Sequence, residues 1–151
     1  MMLWYSSHKM EIEFGAAPLI GIRYFLPSMS EEEKISVKKY PFINKQALEV
    51  SLNDKLKCKE YSFTIPKKYC FDGASVPRFF WRIIGSNTDN KFLVPAMVHD
   101  FMCENHDCVD NDRAFSTEVF NALLSVSGVG SFKRFFMKNS VDIFQNIFCH
   151  W

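Results

Sequence analysis

His99 and Asp100 stand side by side at the end of the apolar run Val94-Pro95-Ala96-Met97-Val98, and Cys103 follows shortly after. Polar groups in such surroundings need partners or a task, because burial without a hydrogen bond is costly. The chemistry open to the pair is definite. An imidazole can take up a proton near neutrality, and carboxylate oxygens suit a hard cation such as calcium. On a helix His99 and Cys103 share a face one turn apart, while Asp100 lies about 100° round. The plain alternative is a core histidine bonded to a backbone carbonyl, with Asp100 paired to an arginine. Helix pattern alone favours that alternative.

Two further clusters carry reactive residue types. Asp72-Gly73-Ala74-Ser75-Val76-Pro77 is a compact turn that can bring a carboxylate and backbone groups to a metal or an anion. Taken alone it reads as an Asx-type turn, with Ser75 capping the next helix. The set His99, Asp100, Cys103, His106, Asp107 and Cys108 has the types zinc prefers. Cys103 and Cys108 are nevertheless too far apart for a paired-cysteine knuckle, and no second pair follows.

These residues sit in the second half of a chain whose texture changes midway. Met10-Glu11-Ile12-Glu13-Phe14 and Ile20-Gly21-Ile22-Arg23-Tyr24 alternate like strands, punctuated by Gly15 and Pro18. Pro27 to Lys39, with Glu31-Glu32-Glu33 beside lysines, is an exposed loop or a short surface helix, its charges serving solvation. Ala47 to Leu52 reads as a strand ended by Asn53-Asp54, and Tyr61 to Ile65 as another closed by Pro66. Phe79, Phe80, Trp81, Ile83 and Ile84 then suggest a short apolar helix stopped by Gly85. Pro95 can open the helix that carries His99 and Asp100, in its first turn. After a polar connector from Glu104 to Asn111, a helix is expected from about Asp112 to Val126. Its cap is Asp110, Asn111 or Asp112, and its end is Gly128. Ser131 to Phe148 has helical spacing at Phe132, Phe135, Phe136, Val141, Phe144 and Phe148. Strands first and helices after define an α+β class: a small antiparallel β region followed by three to four packed helices.

Length and composition narrow the functional classes. The 151 residues fit one domain, with an N-terminal part over 1–46, and the sixteen phenylalanines promise an aromatic core. A formal charge of +1 gives no electrostatic argument for nucleic acid. Lys67-Lys68 and Lys133-Arg134 read as solvated faces. No apolar run approaches the ~20 residues of a membrane span. The first residues lack the basic start and long apolar core of a signal peptide. Five cysteines at irregular spacing favour reduced thiols in a cytoplasmic protein.

The order of motifs resembles a known family. Asp72 to Phe79 reads D-G-A-S-V-P-R-F; Gly85 follows, then P-A-M-V-H-D-F over Pro95 to Phe101, Asp112-Arg113, Phe120 and Gly128-Val129. This resembles the bacterial and bacteriophage domain-of-unknown-function family numbered 1353, whose pattern includes D-G-A-S-V-P, H-D-x-x-Y and D-R-x-x-A-D-x-x-F. The resemblance covers about Phe63 to Trp151, with Ala47 to Leu52 as an earlier strand of the same domain. It implies a phage or prophage setting, in the cytoplasm of a bacterial host or in association with the virion. Two positions depart from the pattern: Cys103 stands where the family has Tyr and, with Arg113 and Phe120 matched, Thr117 where it has Asp. A shifted register puts Asp112 there instead, but leaves Gly128-Val129 too far downstream.

A helical His-Asp is also similar to the site of calcium-dependent phospholipases. That likeness implies His99 as general base, Asp100 as a calcium ligand and Asp72 as a further one. Ser75 and Arg113, with Asp72, are expected binding residues. The likeness further implies an ester or lipid substrate and transient lipid contact. The second carboxylate, which in those enzymes orients the histidine, falls on Thr117. The competing expectation is a non-enzymatic phage structural protein, or a module that binds a host or phage protein. In it the same residues form a buried polar network.

Overall fold

Alternating side chains along three central segments build the sheet on which the helices lie. The computed structural model describes residues 2–71, 90–109, 111 and 113–148. The four-stranded sheet has the order β1-β2-β5-β6, with β1 Met2–Ser6, β2 Met10–Phe14, β5 Leu48–Asp54 and β6 Lys59–Ile65, every pair antiparallel. Register places Ile12 opposite Leu52 and Leu52 opposite Tyr61; one step on, Phe14 faces Val50 and Val50 faces Phe63. Period-two alternation sends these rows to one face, where Ile12, Phe14, Val50 and Leu52 are buried. The strand expected to stop before Asn53-Asp54 runs through both residues. Asp54 makes the turn instead: its Oδ1 accepts from the backbone N–H groups of Leu56 and Lys57, at 3.1 and 3.2 Å.

A second antiparallel sheet has the order β3-β4-β7, formed by Ile20–Ile22, Phe42–Asn44 and Cys70–Phe71. Buried Asn44 joins it to the first, its Nδ2 donating to the carbonyls of Ile65 and Pro66 at 3.2 and 3.0 Å. Between β3 and β4 the acidic run begins a helix, α1 (Glu31–Lys39), resolving the loop-or-helix alternative. Ser30 accepts from the Glu33 N–H while the Glu33 carboxylate accepts from the Ser30 N–H. That reciprocal box satisfies two backbone donors, and three glutamates complement the positive helix start.

The described helices after β7 are α2 (Asn90–Glu104), α3 (His106–Val109), α4 (Arg113–Val126) and α5 (Ser131–Phe148). The α+β class is therefore as expected: antiparallel strands, then packed helices. Pro95 does not open α2; the helix starts five residues earlier and carries the proline inside. An interior proline forfeits a backbone hydrogen bond. Its neighbours Ala96, Met97 and Val98 are at most 1% exposed, and their packing outweighs that local cost. The polar connector is not wholly irregular, since α3 lies within it. Gly128 closes α4 at φ +87°, with Gly128 N–H donating to Ser125 and Val129 N–H to Leu124. This paired C-terminal closure requires a left-handed residue, which glycine supplies without strain. The apolar helix expected over 79–84 lies outside the described residues.

Candidate functional site

Aromatic contacts fix the two helices that matter. Phe101 of α2 stacks on Phe63 at 5.4 Å and meets Tyr69 edge-on at 5.4 Å. The Tyr69 hydroxyl donates to Glu104 at the end of the same helix, at 3.0 Å. Phe115 of α4 stacks on Tyr61 at 4.6 Å. Both helices are thus set against the sheet by neighbouring side chains of β6, and they meet each other along a shared seam.

His99 lies in that seam, 7% exposed, its ring 5.1 Å from that of Phe120 on α4. Its Nδ1 is 3.8 Å from Asp100 Oδ1, and Asp100 keeps 18% of its side chain exposed. Cys103 lies one turn on, as the helical spacing requires. Its Sγ is 3.6 Å from Nε2 and 3.9 Å from Nδ1 of His99. The same sulfur is 3.9 Å from Ser116 Oγ. Ser116 donates to the Arg113 carbonyl at 2.7 Å, and Thr117 to that same oxygen at 3.1 Å. Position 117 therefore holds a buried hydroxyl turned to its own helix, where the family pattern has a carboxylate.

Of the residues expected to act, His99, Asp100 and Cys103 are brought together at the α2–α4 seam. Arg113 begins α4 and contributes its carbonyl there. Asp72 and Ser75 lie outside the described residues. His106 turns elsewhere: its Nδ1–H donates to the Cys103 carbonyl at 3.1 Å, and its Nε2 is 3.3 Å from Asp107. Among the described residues no group of three or more His, Cys, Asp or Glu side chains is placed to hold a metal. Ser116 approaches Cys103 and Phe120 approaches His99, though neither was singled out as a site residue. Their i,i+4 spacing marks one helix face, but nothing local says that this face meets His99.

An antiparallel sheet carrying a helix with an internal His-Asp pair, braced by a second helix, defines an α+β protein with a polar seam in its helical layer. The family model described as "Protein of unknown function (DUF1353)" matches residues 49–141, and the chain belongs to that family. The matched span begins within β5, so it takes in the strand read over Ala47 to Leu52 from Glu49 onward. The uncharacterized protein y4jT of Sinorhizobium fredii (strain NBRC 101917 / NGR234) is 35% identical over 48 residues, 32% of this chain. Those residues make up 14% of that relative, so the similarity covers a small part of it. No solved structure matches the chain.

Proposed function

We propose that this is a phage- or prophage-associated protein with a hydrolase-like site, in which His99 and Asp100 act on an ester or a lipid. The observation that supports the reading is the mounting of His99, whose ring is held by Phe120 with Nδ1 beside the Asp100 carboxylate. A carboxylate near one ring nitrogen favours the tautomer protonated there and leaves the other nitrogen as an acceptor. In this reading Nε2 takes the proton from a water attacking the ester carbonyl. Asp72, Ser75 and Arg113 are its binding residues. The phage setting, in the host cytoplasm or on the virion, follows from the family resemblance.

Calcium takes roughly six to eight oxygen ligands. The described part of the proposed ligand set is Asp100 alone, which by itself does not fit the ion, so no step is assigned to it. A calcium requirement rests on Asp72.

A second reading, a non-enzymatic structural or protein-binding module, is favoured by a different observation. Cys103 lies near both His99 on its own helix and Ser116 on α4, and Ser116 passes a hydrogen bond to the Arg113 carbonyl. Such a chain of contacts ties α2 to α4 with no need of substrate.

Assay of the wild-type protein and His99→Gln against ester and phospholipid substrates separates the two. Hydrolysis by the wild type, lost in a folded variant, supports the enzyme. A wild type that cleaves neither substrate class leaves the module, with a host or phage protein as its partner.

A further inference from the structure

One edge of the smaller sheet is both unpaired and apolar. The ladder from β3 to β4 sets Ile20 opposite Asn44, Gly21 opposite Ile43 and Ile22 opposite Phe42. Just past its ends, Arg23 N–H donates to the Pro41 carbonyl and Lys45 N–H to the Leu19 carbonyl. Antiparallel ladders bond through alternate residues, so positions 19, 21 and 23 direct their groups to β4. The N–H and carbonyl groups of Ile20 and Ile22 therefore point outward, at the edge of the sheet. No hydrogen bond joins them to another described residue.

The side chains of this stretch match the open edge. Ile20 packs against the core, while Leu19, Ile22, Tyr24, Phe25 and Leu26 are each more than half exposed. Alternation puts Ile20, Ile22 and Tyr24 on one face, with Gly21 and Arg23 on the other. Arg23 is the one charged residue between Gly15 and Ser30. Its Nη1 is occupied, donating to Ser36 Oγ and the Tyr40 carbonyl near the end of α1, at 3.2 and 3.0 Å. The Lys45 side chain crosses Gly21, so it too lies away from the Ile22 face. Pro18 and Pro27 bracket the stretch, and neither has an N–H with which to lengthen a ladder.

An unpaired edge takes a strand, and the second copy of this chain supplies one of matching character. Two-fold pairing sets Ile22 opposite its own equivalent and Ile20 opposite Tyr24. The outward backbone groups then satisfy each other, and the facing side chains carry no charge. At ~200 Å² for a fully exposed side chain of this size, the five exposed residues leave about 600 Å² open on each copy. Stable dimers cover roughly 600–1,000 Å² per partner. The pairing occupies the same edge on both chains, so it closes at two copies.

We infer that β3 is a dimerisation edge, joined antiparallel to β3 of a second copy with Ile22 at the two-fold axis. It goes beyond the hydrolase reading, because it needs nothing from His99.

The test is sedimentation equilibrium of the full chain over about 1–100 μM. The wild type passes from monomer to dimer across that range. Ile22→Lys, which sets like charges opposite each other at the axis, lowers the association constant by about tenfold or more. The thermal midpoint of the monomer stays near that of the wild type, since the position is exposed. Ile22→Cys gives the opposite readout, because residues facing each other in such a pair have Cα atoms about 5.5 Å apart, within disulfide reach. Placed in a Cys58→Ser chain, which lacks the exposed native thiol, it forms a covalent dimer on mild oxidation. The Cys58→Ser chain alone does not. His99→Gln dimerises as the wild type does, which keeps this result separate from any loss of hydrolysis. A wild type monomeric throughout, a dimer that survives Ile22→Lys, or an Ile22→Cys chain that yields no covalent dimer would overturn the inference. The first of these outcomes would leave the edge to a strand of a different protein.

Discussion

The sulfur of Cys103 lies 3.6 Å from Nε2 of His99, one turn along the same face of α2. A thiol is a weak hydrogen-bonding group, so this contact holds the imidazole only lightly compared with a hydroxyl. The tyrosine of the family pattern would place a larger, stronger polar group on that turn. Among the described contacts, the Phe120 ring packs against His99 at 5.1 Å and the Asp100 carboxylate lies 3.8 Å from its Nδ1.

His99→Gln follows directly. Glutamine keeps donor and acceptor capacity but cannot act as a proton acceptor near neutrality. With His99 as a general base, hydrolysis disappears while the thermal midpoint moves little. With a purely bracing role, denaturant unfolding shows a loss of about 1–3 kcal/mol, typical of a disturbed buried hydrogen bond. A variant unchanged in both respects would remove His99 from either role.

Asp100→Asn addresses the proposed cation. The substitution keeps size and an acceptor but removes the charge a hard ion needs. If Asp100 and Asp72 together hold calcium, the ion raises the melting temperature of the wild type, with about 2.7 kcal/mol of stabilisation at a hundred times the dissociation constant. That increment is absent from Asp100→Asn. Scanning both proteins in calcium and in chelator decides it; a wild type indifferent to calcium sinks the metal ligand role.

The legibility of this fold followed segment length. Met10 to Phe14 shows its alternation over a whole strand, and Ser131 to Phe148 its helical period over several turns; both occur with those boundaries. Phe42–Asn44 and Cys70–Phe71 have three and two residues, too few to display a period, and exist because they pair with each other. In β1 the register shifts between Leu3 and Tyr5, which breaks the alternation at Trp4. The site divides the same way. The proximity of His99 and Cys103 is local helix geometry and could be read directly. That Phe120 and Ser116 approach them depends on how α4 seats on α2, which Phe115 and Tyr61 fix through a contact distant in sequence.

Gly128→Ala tests the turn that leads from α4 to α5. Nothing lies within 4 Å of where a Cβ would sit, so crowding plays no part, and φ +87° is what an L-residue resists. The expected loss is about 1–2 kcal/mol. At roughly 2–4 °C per kcal/mol in a chain of this length, it is visible in a thermal melt. An unchanged midpoint would mean that the closure contributes nothing to stability.

Thr117→Asp asks whether a missing carboxylate limits the site. Thr117 is 1% exposed, and its hydroxyl donates to the Arg113 carbonyl on its own helix. The neighbouring Ser116 and Phe120 of α4 approach Cys103 and His99, which places residue 117 close to the face where an orienting acid would act. An aspartate buried there needs a partner, and a His99 ring that gains positive charge during proton transfer can supply one. The expected outcome is a rise of about tenfold in kcat/KM for ester hydrolysis, equivalent to about 1.4 kcal/mol of transition-state stabilisation. Thr117→Asn, similar in shape but neutral, should give no such rise. The gain must also vanish in the double variant with His99→Gln, since an acid that orients a base is useless without it. If Thr117→Asp only lowers stability, at unchanged rate and to the same degree as Thr117→Asn, then position 117 serves packing and the orienting role has no place in this chain.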